Sequence, residues 1–356
     1  MRKNNILKLL ENKGADALLL FNESNMHYLC GFSPSEGVIL AVKDGSFYHI
    51  VDSRYTETAQ NYAKDTGNTV IEINKGFQDK IAELVKKHNV KKVLFEDETI
   101  SLHTYNTYKE KLEGIEFIPL GRELMLLRNV KDINEIKLMK QANAIAEKSF
   151  IELLNDVKVG KTEKELSSLF DYYMAKNGSD GLSFDTILLT GAHTSMPHGV
   201  PDDRKICEGD FVLFDFGATC KGYHSDMTRT VAVGHASDEM INTYNLVLEA
   251  QLAGIKALDA GVKCADVYKA SYDVLDRENM AQYFRHGLGH GVGLEIHEGF
   301  NASPRSTDTF ETGNVITIEP GVYIPDKFGV RIEDLLYLSP RGRENLSSVT
   351  KELIIL

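Results

Sequence analysis

In FDFGATCKGYHSDMTRT (residues 214–230) an aspartate, Asp215, stands between two phenylalanines of an apolar run, and Asp226 follows a polar turn. An unpaired carboxylate in an apolar strand is costly to bury, so something must compensate it. The same situation recurs in NVITIEPGVYIPDKFGVRIEDLLYLS (residues 314–339), where Glu319 closes an apolar run and Glu333 is expected inside the return strand. Any one of these acids, taken alone, reads as readily as an edge or solvent-facing residue. Four together read differently. If the two hairpins pack face to face, the carboxylates repel one another by several kcal/mol unless cations neutralise them. A dinuclear metal site is the simplest solution: hard oxygen donors suit Mn²⁺, and one imidazole brings Co²⁺, Fe²⁺ or Zn²⁺ into range.

FRHGLGHGVGLEIHEGF (residues 284–300) supplies the imidazoles, His286, His290 and His297, with glycines at 287, 289, 291 and 293 between them. Alternate glycines let a ligand-bearing backbone lie close against another element. As a dinucleotide loop the run lacks the preceding strand and following helix, and His297-Glu298 lacks the second histidine of HExxH, which excludes a zincin by spacing. His198, in TSMPHGVP, is flanked by proline and glycine and reads either as a surface histidine or as a residue at the edge of a cleft.

The elements that must position these residues fall into two textures. ADALLLF, GVILAV, FYHIVD, TVIEI, KKVLFE and IEFIPL read as strands alternating with helical patterns such as GFQDKIAELVKKHN, which predicts an α/β domain over residues 1–125. Apart from Arg54 and Tyr55 after IVDS, nothing in it suggests chemistry. From 126 to 356 a long helix with Asp132 as N-cap and Gly160 as stop opens a second domain. Its order is helices, a hairpin with two carboxylates around Lys221-Gly222, helices again, and a second hairpin with two more. That order is a weak internal duplication.

Composition limits the function classes. The chain has 356 residues, 42% apolar and 26% charged, with a formal net charge of -12, so it reads as an ordinary globular protein and not as a polyanion-binding one. No nucleic acid partner is expected. The apolar patch near the N-terminus is broken by Glu11, Asn12 and Lys13, no run approaches a membrane span, and the four cysteines have no CxxC spacing. A cytoplasmic protein with no membrane contact is the expectation.

Asp215, Asp226, His290, Glu319 and Glu333 resemble, in order and approximate spacing, the five metal ligands of the pita-bread metallopeptidases. SFDTILLTGAHTSMPHG, GYHSDMTRT, HGLGHGVGLEIHE and EPGVYIPDKFGVRIED look like the branch of Xaa-Pro aminopeptidase and prolidase, whose members carry an N-terminal α/β domain of this size. The resemblance implies a creatinase-like α/β domain followed by a pita-bread catalytic domain of duplicated helices and hairpins. It implies two divalent cations, with Asp215 binding bidentately, Asp226 and Glu333 bridging, and His290 and Glu319 completing one shell. The implied reaction is hydrolysis of Xaa-Pro bonds in short peptides. Glu319 is the implied general base, His198 and His297 contact the scissile bond, His286 lines the proline side, and Arg331 orients a bridging carboxylate. A homodimer is implied as well.

Within that branch the sequence departs at one place. Many members have Pro-Arg after the HE dipeptide, where an arginine is implicated in gripping a dipeptide's C-terminal carboxylate; here Phe300 and Asn301 stand there. The loss of a bidentate arginine favours an Xaa-Pro aminopeptidase, with a prolidase as the alternative if Arg305 or Lys327 substitutes. A metal-free creatinase-like hydrolase or a non-catalytic binding module fits less well, since all five ligand positions are filled.

Overall fold

The computed structural model describes residues 2–74 and 76–356, and the chain divides after Arg128 into two compact units. In the first, six strands, β1 (Ala17–Leu20), β2 (Gly37–Val42), β3 (Phe47–Val51), β4 (Thr69–Glu72), β5 (Lys92–Phe95) and β6 (Glu116–Pro119), form one sheet in the order β4-β3-β2-β1-β5-β6. The three central pairs around β1 and β2 mix antiparallel and parallel ladders, and the outer pairs β3/β4 and β5/β6 are parallel. Helices α1 (Arg2–Lys13), α2 (Glu23–Cys30), α3 (Thr56–Thr66), α4 (Phe77–Lys87), α5 (Leu102–Lys111) and α6 (Glu123–Asn129) complete the alternation. All four residues of β1 are buried, as a strand covered on both faces requires, and α4 packs Ile81, Leu84 and Val85 inward at helical spacing.

The second unit opens with α7 (Ile133–Leu153), whose N-cap Asp132 forms a capping box with Glu135. The helix ends well before Gly160, contrary to the expected stop, because the backbone turns at Asn155 and Asp156 and sends Val157 into the core. After α8 (Glu163–Lys176) come β7 (Ile187–Thr190), β8 (Phe211–Phe216), β9 (Thr219–Cys220), β10 (Tyr223–His224) and β11 (Met227–Ala232), with β11-β8-β7 forming an antiparallel sheet. Then α9 (Asp238–Ala257) and α10 (Cys264–Arg277) precede β12 (Gly289–His290), β13 (Asn301–Ala302), β14 (Val315–Ile318), β15 (Gly321–Ile324), β16 (Phe328–Arg331), β17 (Asp334–Ser339) and β18 (Gly342–Asn345). β14 and β17 pair around an inner β15/β16 hairpin.

Two apolar clusters hold these halves. Phe214 and Phe216 pack with Phe150 of α7 and Phe170 of α8, and the Phe170 and Phe216 rings lie 4.6 Å apart. Ile316 and Ile318 pack among residues of α9 and α10. Strand alternation then turns the intervening residues Asp215 and Thr317 to the opposite faces.

Candidate metal centre

Each acid of the first half sits at a strand position that its neighbours dictate. Asp215 lies in β8 opposite Thr228 of β11, and Asp226 occupies the step between β10 and β11. The β9/β10 hairpin before it is held by the Tyr223 hydroxyl, which donates to Glu135 of α7 at 2.8 Å. In the second half Glu319 directly follows β14. Glu333 stands between β16 and β17 and not inside a strand, because its backbone N–H leaves the ladder and donates to the Thr228 carbonyl at 3.1 Å. That bond is one of several that join the two halves at the site.

His290 reaches the same point from β12. Its Nδ1 lies 3.2 Å from the Gly291 carbonyl, which can only accept, so Nδ1 carries the proton and Nε2 presents a lone pair. Nε2 is 3.4 Å from Asp226 and 3.5 Å from Glu319, too far for good hydrogen bonds. Ligand atoms of Asp226, His290 and Glu333 all lie within 4.8 Å of one another. Glycines make this approach possible: a Cβ on Gly289 would meet the Thr317 carbonyl oxygen at 1.8 Å, and one on Gly291 would meet the Glu298 carbonyl oxygen at 2.2 Å.

The charges are unbalanced. Burial, followed by the proximity of Glu333 and Asp215, holds the Asp226 carboxyl well above the ordinary carboxylate range, and burial with Glu319 and Asp215 does the same to Glu333. Burial pushes Glu319 up to about 8 against the pull of Arg331, and it drives His290 down to about 3, with His297 adding to the effect. Among the described residues the guanidinium of Arg331 bonds one of the four carboxylates, Asp215, while the neighbouring Arg229 is paired with Asp334, so the donor set fits cations that would neutralise the excess.

Arg331 organises the surroundings. It donates through Nη2 to Asp215, through Nε to the Thr228 hydroxyl at 2.9 Å and through Nη1 to the Tyr323 hydroxyl at 2.8 Å. Tyr323 in turn lies 3.0 Å from His286 Nε2, while His286 Nδ1 faces the Gly287 carbonyl at 2.7 Å. The protons are therefore ordered: Arg331 donates to Tyr323, Tyr323 donates to His286, and His286 is neutral, its pKa lowered to about 4 by burial and then by Arg331. His297 packs edge-on to His290 with ring centroids 4.1 Å apart and is exposed, as is His198, whose charge is felt by both His286 and His297.

All of the expected site residues except the peripheral cations are thus brought together. Lys327 is committed to an exposed ion pair with Glu239 at 2.8 Å, and Arg305 is exposed. Thr228, Thr317 and Tyr323 belong to the site without having been singled out from sequence. Thr317 accepts from the His290 N–H at 3.1 Å and donates to Glu319 at 3.1 Å. Alternation was the available signal, since Thr228 and Thr317 each lie two residues from an acid on the same face.

The description "Metallopeptidase family M24" matches residues 137–340, and "Creatinase/Prolidase N-terminal domain" matches residues 2–130. An Xaa-Pro dipeptidase of Pyrococcus horikoshii is 32% identical, over 98% of this chain and 97% of its own. Among solved structures, an Xaa-Pro dipeptidase from Bacillus anthracis is 38% identical with a TM-score of 0.95, over 100% of this chain and 99% of its own. An X-Pro aminopeptidase from Thermotoga maritima is 34% identical with a TM-score of 0.92, over 98% of this chain and 100% of its own. A creatinase-type N-terminal unit ahead of hairpins that gather four carboxylates and one imidazole is the arrangement of a hydrolase, and the chain belongs to metallopeptidase family M24.

Proposed function

We propose that this protein is an Xaa-Pro aminopeptidase, removing the N-terminal residue of short peptides whose second residue is proline, with two divalent cations held by Asp215, Asp226, His290, Glu319 and Glu333. The observation that carries the reading is the meeting of those five side chains around a single compensating guanidinium. Mn²⁺ is the first choice for a set dominated by carboxylates, and Co²⁺, Fe²⁺ or Zn²⁺ also suit it. When bound, such ions act as Lewis acids on the scissile carbonyl and lower the pKa of water toward neutrality.

The chain's own groups do the rest. Glu319, with Oε1 held by the Thr317 hydroxyl, keeps Oε2 to take a proton from the attacking water and return it to the leaving nitrogen. His198 and His297 stand at the exposed side and hydrogen-bond the scissile carbonyl as its oxygen gains charge. His286 has both ring nitrogens engaged within the protein, so it contributes a fixed apolar wall beside the proline. Arg331 keeps Asp215 oriented.

Cleavage of dipeptides is the second reading, favoured by the likeness to the Bacillus anthracis Xaa-Pro dipeptidase. Against it, Asn301, an exposed residue paired with His290 across β12/β13, offers a neutral amide where a guanidinium would grip a carboxylate. An assay of the Mn²⁺-loaded protein on an Xaa-Pro dipeptide and an Xaa-Pro-Xaa tripeptide tests both. Preference for the tripeptide supports the aminopeptidase, preference for the dipeptide reassigns the chain as a prolidase, and inertness toward both with metal bound removes the peptidase reading.

A homodimer in the cytoplasm is the accompanying proposal, and sedimentation showing an active monomer would contradict it. Among the described residues no helix is long and apolar enough to cross a membrane.

A further inference from the structure

The first turn of α8 carries a charge that the proposed reaction does not use. Glu163 is completely buried, and its carboxylate gathers three donors from one loop. Oε1 accepts the Thr190 backbone N–H at 2.7 Å, where β7 ends, and Oε2 accepts the Asp202 backbone N–H at 2.9 Å, where the chain returns. Between them the ring of His193 places Nδ1 2.9 Å from both oxygens, which fixes Nδ1 as a donor. Glu163, His193 and Asp202 also have the spacing of a cation site, within 4.8 Å of one another. Both oxygens of Glu163 already face N–H groups, however, so the cluster is satisfied by hydrogen bonds and needs no ion.

The loop whose two ends this carboxylate holds is the one that carries His198. A Cβ on Gly199, the residue after His198, would lie 3.2 Å from His193 Nε2 and 2.8 Å from Leu189, so the chain at His198 rests on the same ring. On its other side the Thr194 hydroxyl accepts the Gly329 N–H at 2.7 Å, two residues before Arg331. Charge-assisted bonds in a dry setting are short and directional, and three of them converging on one side chain leave the loop little freedom.

We propose that Glu163 and His193 are positioning residues for His198: they staple both ends and the middle of its loop so that the imidazole stands ready at the scissile carbonyl. The inference rests on the peptidase reading above. It assigns a role to an acid and a histidine that touch neither cations nor substrate.

The test is steady-state kinetics of the Mn²⁺-loaded enzyme on an Xaa-Pro-Xaa tripeptide for His198→Ala, His193→Ala, His193→Asn and the double variant His193→Ala/His198→Ala. His193→Ala is expected to lower kcat about ten- to a hundredfold at nearly constant KM and metal content, as a small misplacement of a reacting group does. His193→Asn, whose side-chain N–H replaces the ring donor, is expected to recover most of that loss. In the His198→Ala background the second substitution is expected to add little, the signature of two residues acting through one another. Additive losses, or a loss that asparagine does not recover, overturn the proposal.

Failure of the peptidase reading would show differently, as an unsubstituted, metal-loaded enzyme inert toward both Xaa-Pro substrates. The staple is then decided by amide hydrogen exchange over residues 190–202. Glu163→Gln should expose that segment to faster exchange, and unchanged protection rejects the staple.

Discussion

The Thr228 hydroxyl donates to the Glu333 carboxylate at 2.6 Å while accepting from Arg331 Nε at 2.9 Å, so one oxygen ties the first hairpin to an acid and a base of the second. Thr228→Val keeps the shape and removes both bonds. It should weaken cation binding about ten- to a hundredfold, the usual effect of losing a partner of a ligand. Thr228→Ser should retain affinity near that of the unsubstituted protein. Titration of metal into the apo-protein checks both.

Asp226→Asn removes one carboxylate from the centre without changing its volume. Metal content should fall and turnover should drop by at least about a hundredfold, exceeding the effect of disturbing a mere neighbour of a ligand. Metal analysis of the purified variant beside its activity decides the point. Two retained ions with normal turnover would falsify the ligand assignment.

The first unit should show its own acid sensitivity. His49 of β3 is 2% exposed, its Nε2 has no hydrogen-bond partner, and burial drives its pKa from 6.5 to about 4. Unfolding releases a ring that protonates more readily, so stability is full above the unfolded pKa and is lost as pH falls through 6.5 toward 4. The loss amounts to about 3 kcal/mol at its limit. His49→Phe should flatten the dependence of unfolding midpoint on pH in that window, and an unchanged slope would assign the acid sensitivity elsewhere.

Arg229, 2% exposed, spends all of its donors in the interior. It bonds Asp334 at 2.8 Å, the carbonyls of Thr228 and Glu333, and the carbonyls of Val349 and Thr350 at 2.9 and 3.1 Å. Arg229→Met should therefore cost about 3–5 kcal/mol, as removal of one partner of a buried pair does. Arg229→Lys should restore only part, since an ammonium cannot reproduce the planar fork. Thermal unfolding followed by circular dichroism measures the difference.

What could be seen in the sequence was whatever breaks a local pattern. Asp215 between phenylalanines and Glu319 after an apolar run stand out because period-two alternation assigns each a face. The six strands of the first unit stand out because their apolar runs are short and bounded by polar helical stretches. Glu333 reads from its neighbours as a strand residue, because the one-residue departure of its N–H toward Thr228 leaves no trace in residue type.

Burial between distant residues was equally invisible. In the sequence Glu298 stands out only as the acid of an incomplete HExxH, whereas its side chain is 1% exposed and pairs at 2.7 Å with the equally buried Lys131. Glu163 and His193 are likewise ordinary residues until the fold brings them together. Charged residues are read as surface by default, and only the three-dimensional partner reverses that reading.

The tight seating of β12 has a consequence for how this protein can drift over time. At Gly289 and Gly291 the space for a side chain is filled by the carbonyl oxygens of Thr317 and Glu298, so even a methyl group cannot be written there. Such positions tolerate no neutral exchange although they bind nothing themselves. In a library of all single substitutions, depletion at these two glycines should match that at the acids and exceed that at exposed residues such as Val200. Intolerance to change would thus mark backbone contact as clearly as it marks chemistry.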